Sequence, residues 1–131
     1  MTINEITGRI IGAAIEVHRA LGPGLLESIY KQCLCRELHL QDLPFVCEQA
    51  LPVIYKGLRL DCAYRVDLIV AEVVVVEVKS VDRLIPVQEA QLLTYLRAGG
   101  WNAGLLINFN VPALRNGIRR LGLGLEEKHA P

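Results

Sequence analysis

The run Val73-Val74-Val75-Val76-Glu77-Val78-Lys79 carries charge where a strand of this composition should carry none. So apolar a stretch reads as a strand buried on both faces. Glu77 and Lys79 lie two residues apart and therefore project to the same face. Buried charges must be paired with one another or held on a metal. The pair alone is equally compatible with a structural ion pair at a strand end. Asp67, in the preceding segment Arg65-Val66-Asp67-Leu68-Ile69-Val70, favours chemistry. If the two segments form a hairpin, residues directly opposite share a face. Asp67 faces Glu77 only when the hairpin centres on Glu72, which requires an odd-length loop. A two-residue turn at Ala71-Glu72 would set Asp67 against Val76. The loop contains neither Gly nor Asn, so turn chemistry does not decide between them; the odd loop is the one that gathers the acids. Two carboxylates offer hard oxygen ligands suited to Mg²⁺ or Mn²⁺ rather than zinc. A neighbouring lysine suits deprotonation of a water or stabilisation of charge developing on a phosphate.

Two helical segments add polar groups. Gln88, Gln91 and Tyr95 fall on one face by their spacing of three and four. Such a row can orient a lysine, a water or a phosphate, and it is equally the wet face of a surface helix. Glu27, Tyr30 and Lys31 share a face of an earlier helix by the same rule. Alone, that would be an ordinary amphipathic helix.

These residues need elements to hold them. Thr2 and Glu5 form a capping box, after which Ile6, Ile10, Ala13, Val17 and Leu21 recur at helical spacing. Gly22-Pro23-Gly24 ends that helix, and a second is expected from about Leu25 to His39. Phe45 to Cys47, Leu51 to Tyr55, Leu58 to Cys62, Arg65 to Val70 and Val73 to Lys79 read as strands. A third helix is expected from Pro86, which suits a first helical position, to Gly99-Gly100, a natural C-cap. Ala103 to Phe109 reads as a buried final strand. The order is that of an α/β or α+β fold with a mixed sheet.

The 131 residues suit one domain over residues 1–125, with 126–131 expected to fray. Hydrophobic residues make up 52% and charged residues 21%, a globular composition. No apolar run is long enough to span a bilayer, and no membrane association is expected. The N-terminus lacks a basic n-region and an h-region, so a cytoplasmic location is expected. Cys33, Cys35, Cys47 and Cys62 form no CxxC pair, and His18, His39 and His129 are scattered. A thiolate metal centre is therefore not expected, and the cysteines read as reduced core residues. Lys plus Arg equals Asp plus Glu at 14 each. That balance gives no support for tight nonspecific nucleic-acid binding; Arg115, Arg119 and Arg120 are the one basic cluster that would serve as a patch.

Together, Val17-His18-Arg19 with Leu21-Gly22-Pro23-Gly24-Leu25-Leu26-Glu27-Ser28-Ile29-Tyr30 resembles the signature of the GxxExxY proteins. The likeness continues through Tyr55-Lys56-Gly57, Arg65 to Val70, Glu77-Val78-Lys79, Gln91-Leu92-Leu93-Thr94-Tyr95-Leu96 and Gly104 to Phe109. It covers roughly residues 5 to 111. That family is placed in the PD-(D/E)XK nuclease superfamily, near the RecB-like nuclease group. The resemblance implies a restriction-endonuclease-like core, with a mixed central sheet flanked by helices. It implies that Glu27 is a helix carboxylate reaching a metal, that Asp67 and Glu77 are the principal ligands, and that the Val78 carbonyl adds another. Lys79 would position or activate the attacking water. Gln91 and Tyr95 match a QxxxY element that steadies the site and contacts nucleic acid. The implied activity is Mg²⁺- or Mn²⁺-dependent phosphodiester hydrolysis, on DNA rather than RNA, by a homodimer or a larger assembly. The competing expectation is a noncatalytic nucleic-acid- or protein-binding module on the same fold. A nucleotide-binding loop is not expected, because Leu21-Gly22-Pro23-Gly24 lacks GK[ST]. The cysteines do not fit the iron–sulfur arrangement of some RecB-like nucleases, and Arg115 to Pro131 matches nothing in the family.

Overall fold

A computed structural model describes residues 1–123; the tail expected to fray, 126–131, lies outside them. Helix α1 spans Ile3–Leu21 and starts at the anticipated capping box. The Thr2 side chain accepts from the Glu5 amide at 3.1 Å, and the Glu5 carboxylate accepts from the Thr2 amide at 3.1 Å. Ile6, Ile10, Ala13 and Val17 are buried as their spacing requires, whereas Leu21, at the helix end, is exposed. Helix α2 (Glu27–Leu40) lies beside α1 and buries Tyr30, Leu34 and Leu38.

Strands β1 (Phe45–Tyr55), β2 (Leu58–Val70) and β3 (Val74–Lys79) form an antiparallel meander. Helix α3 (Pro86–Gly99) ends on Gly100 in the left-handed conformation at φ 77° and leads to β4 (Ala103–Asn108), which runs parallel to β3. A short 3₁₀ turn (Leu114–Gly117) then leads to β5 (Ile118–Gly122), antiparallel to β4. Among the described residues the mixed sheet has five strands, in the order β1-β2-β3-β4-β5.

The elements come in the expected order, with three differences. The two short pieces expected at each of β1 and β2 are single long strands. The gap expected in β1 at residues 48–50 is bridged by Gln49 and Ala50, which pair with Val66 and Arg65; the register shifts instead at Pro52, between Leu51 and Val53. Proline has no N–H to give a ladder, and an edge strand is where it is tolerated. Second, Ala103 to Phe109 is not the last strand, because β5 covers its free edge. Third, of the cysteines expected in the core, Cys33 and Cys35 are only half-buried against it and Cys47 is exposed.

The sheet carries a core on each face. Leu68, Val70, Val74, Val76, Val78, Leu105 and Ile107 pack with α1 and α2. Leu51, Val66, Ile69, Val75 and Leu106 pack with Leu92, Tyr95 and Leu96 of α3. Cover on both sides explains why β3 is uninterruptedly apolar up to Glu77.

Candidate active site

The β2–β3 hairpin pairs Leu68 with Val76, Ile69 with Val75 and Val70 with Val74, so its loop is Ala71-Glu72-Val73, centred on Glu72. Ala71 (φ 51°) and Glu72 (φ 64°) both adopt the left-handed region. That conformation is unusual for residues with a Cβ, which is why the turn has no sequence signature. The Ala71 amide is held by the Pro44 carbonyl at 2.8 Å, and the Val73 amide bonds the Val70 carbonyl at 3.1 Å.

The next rung would pair Asp67 with Glu77, and there the two side chains replace the ladder. The Asp67 amide donates to Glu77 Oε2 at 2.8 Å, and the Val78 amide donates to Asp67 Oδ2 at 2.9 Å. Each acid thus holds a backbone group of the opposite strand. Glu77 is only 5% exposed. Burial pushes its pKa up to about 8, and the Asp67 charge adds to the rise. The Asp67 amide and the Lys79 charge oppose it, and the Glu27 charge raises it further. Asp67, Lys79 and Glu27 therefore all lie within electrostatic reach of Glu77.

The other elements fix these residues through backbone contacts. Tyr30 is fully buried, stacked on Phe109 with ring centroids 4.6 Å apart. Its hydroxyl donates to the Gly22 carbonyl at 2.5 Å and accepts from the Leu25 amide at 3.1 Å. The Gly-Pro-Gly loop is so anchored immediately before Glu27, the exposed first residue of α2. Ser80 Oγ donates to the Leu25 carbonyl at 2.6 Å, tying that loop to the chain just past Lys79. Asn108 is buried, accepts from the Val81 amide at 3.0 Å and donates to the Val81 carbonyl at 2.9 Å. The Phe109 amide bonds the Lys79 carbonyl at 2.9 Å.

Tyr95 is not on a wet helix face: it is 4% exposed. Burial pushes its pKa up to about 12, with the charges of Glu77 and Asp67 contributing, so its hydroxyl is neutral and borders the acids. Its ring meets Tyr64 at 5.5 Å. Gln91 lines an adjoining cleft of about 370 Å³ with Tyr64, Gln88 and Thr94. Gln88 also caps α3, accepting from the Ile85 amide at 2.9 Å. Lys31 donates to Glu48 and lies 3.5 Å from Asp67 Oδ1. Burial works against the Lys31 charge, but the two carboxylates outweigh it and raise its pKa. Arg65 donates to the Glu48 carbonyl at 3.1 Å, fixing a residue whose φ is 56°.

The structure thus draws Asp67, Glu77, Lys79, Val78 and Tyr95 together. It sets Glu27 at the margin and Gln91 on the cleft wall. Among the described residues, no group of three or more His, Cys, Asp or Glu side chains is gathered as a metal cage. The sequence reading missed Glu48, Tyr64, Ser80 and Asn108. Only Asn108 left a signal, an amide at the end of an otherwise apolar strand. The three arginines expected as a patch are divided, because Arg119 and Arg120 are successive in β5 and face opposite ways. Arg120 is bonded to Asn4 at 2.5 Å.

No helix among the described residues is long and apolar enough to cross a membrane. Comparison with curated proteins and with solved structures finds no match. A family model described as the PD-(D/E)XK nuclease superfamily matches residues 4–121. That match takes in the sheet and the three helices, all but the outermost residue of α1 and of β5, and includes the acid pair, and the chain belongs to the PD-(D/E)XK nuclease superfamily.

Proposed function

We propose that this chain is a metal-dependent nuclease that hydrolyses phosphodiester bonds, with DNA rather than RNA as its substrate. The observation that carries this reading is the buried carboxyl of Glu77 set against Asp67 at the parting of two strands. Members of the superfamily generally use divalent metal ions. The donors here fit one. Asp67 and Glu77 supply hard oxygens, and Mg²⁺ is commonly held by one or two carboxylates with waters completing the octahedron. The Val78 carbonyl would add a ligand, and Glu27 would act from the margin through water. Bound there, such an ion polarises a phosphoryl oxygen and acidifies a water.

The chain's own groups have separable roles. Lys79, whose charge acts on Glu77, orients the attacking water and balances charge building on the phosphate. Tyr95 keeps its proton and serves as a neutral hydrogen-bonding wall. Gln91, Tyr64 and Thr94 line the cleft that would take the neighbouring nucleotide.

The test is cleavage of labelled single- and double-stranded DNA and RNA with Mg²⁺, Mn²⁺ or chelator. Cutting of DNA by the wild type is expected with metal only, and loss of at least about 100-fold in Glu77→Gln and Lys79→Ala. Preferential cutting of RNA would overturn the substrate assignment. Balanced charge, 14 cationic against 14 acidic side chains, favours a second reading as a noncatalytic binding module. Under that reading no substrate is cut, and Lys79→Ala alters binding or stability alone.

A further inference from the structure

We propose that Lys31 is a resident counter-ion of Asp67 that a divalent cation must displace, so that the protein sets its own threshold for metal. The inference rests on the metal-dependent reading above and concerns affinity rather than the chemical step.

Asp67 has two carboxylate oxygens with different neighbours. Oδ2 accepts from the Val78 amide at 2.9 Å and is engaged in holding the hairpin. Oδ1 is the oxygen left for a ligand, and it is the one that Lys31 Nζ approaches at 3.5 Å. Lysine and metal therefore compete for a single atom. The lysine also has somewhere to go: its ammonium is bonded to Glu48, whose side chain is 44% exposed. It sits on a flexible four-carbon stem with rotatable donors, so it can pivot to Glu48 while keeping a partner. Glu48 is thus the acceptor that takes Lys31 when Asp67 is claimed. Lys31 follows Glu27 by one turn of α2, so movement of its head leaves the backbone of that helix in place.

Without a metal, having both Asp67 and Glu77 ionised is opposed across a part-buried contact, and a nearby cation relieves this. One ammonium shared with Glu48 compensates incompletely, which leaves a divalent ion with the advantage at Oδ1. Partly exposed ion pairs are weak, so the expected effect on affinity is modest, about three- to tenfold.

The experiment is calorimetric titration of the whole chain with Mn²⁺ and Mg²⁺, for wild type, Lys31→Met and Glu48→Gln. Thermal melts with chelator and with saturating metal accompany each titration. Lys31→Met keeps the stem and removes the charge; it is expected to bind about three- to tenfold more tightly and to show a larger metal-induced rise in Tm. Glu48→Gln removes the retreat and is expected to bind more weakly. Unchanged or weaker binding by a folded Lys31→Met, with the wild type binding normally, would overturn this proposal and leave the metal site standing. If Lys31→Met fails to fold, Glu48→Gln decides the matter, and tighter or equal binding by that variant overturns it. Absence of metal binding by both wild type and Lys31→Met would sink the metal-dependent reading and this inference with it.

Discussion

Glu77 shows what a single carboxyl can impose on its surroundings. Its pKa rises from the usual carboxylate range to about 8 because burial disfavours its charge and Asp67 repels it. A proton is therefore bound more tightly in the folded than in the unfolded chain between about pH 4.5 and 8. With ν_N above ν_U in that window, stability falls as pH rises, by at most about 1.4 kcal/mol per unit from this group. In chelator, urea titrations of the wild type should show that decline, and Glu77→Gln should flatten it and be the more stable protein at pH 8. A wild type whose stability is flat across the window would remove this account of Glu77. At this scale the sequence displayed residue types and spacings: Glu77 and Lys79 stood out because charge interrupts an apolar strand. Ser80 gave no such sign. Its bond to the Leu25 carbonyl spans 55 residues of chain and follows no periodic rule. Glu48 and Lys31 are likewise ordinary surface types whose meeting depends on how α2 lies over β1 and β2.

Among the elements, the register of β2 on β3 matters most, because a slip of one residue exchanges faces along the whole strand. Alternation and the need to gather the acids gave that register; the left-handed Ala71 and Glu72 that produce it are set by the Pro44 carbonyl, a tertiary contact. In β1 the break expected between Cys47 and Leu51 is absent, and Pro52, read as part of a strand, costs the edge strand only a local irregularity. The approach of α2 to β1 also has a chemical consequence. Cys35 Sγ and Cys47 Sγ lie 3.6 Å apart. Burial, followed by the bond to Cys47, pushes the Cys35 pKa up to about 12, so it is a poor nucleophile under ordinary conditions. A slow, stoichiometric peroxide oxidation is expected to convert the two thiols to a disulfide, reducing peroxide to water. Peptide mapping should find the Cys35–Cys47 link, and closing so short a loop should add about 2–3 kcal/mol to stability. A map showing only other pairings would mean that the two strand and helix backbones are held too far apart to bridge.

For the molecule as a whole, β5 is the part the sequence left unread, because Arg119 and Arg120 interrupt any apolar alternation in Ile118–Gly122. Its docking depends on Gly117. A Cβ there would meet the Asn108 backbone oxygen at 2.1 Å, a contact no side-chain adjustment relieves. Gly117→Ala is therefore expected to lower stability by roughly 1–3 kcal/mol and to loosen the β4 end that carries Asn108. Thermal melts check it, and an unchanged Tm would show that the turn shifts without cost. The unequal lengths of the strands matter in another way. The ladder between β2 and β3 stops at Leu68 and Val76, and beyond it the described residues of β2 pair with β1 alone. From Val53 to Tyr64 this two-stranded ribbon is largely exposed, with Ile54, Tyr55 and Leu58 more than half open to solvent. Isolated ribbons are marginally stable and strongly twisted. The chain thus consists of two cooperative units of unequal tenacity, a tight sheet-and-helix body and a looser arm, and local opening will begin in the arm. Asp67 stands on the seam between them, whereas Glu77 and Lys79 belong wholly to the body. The spacing of the two acids is therefore held on one side by their own cross-strand bonds and open on the other to whatever steadies or bends the arm.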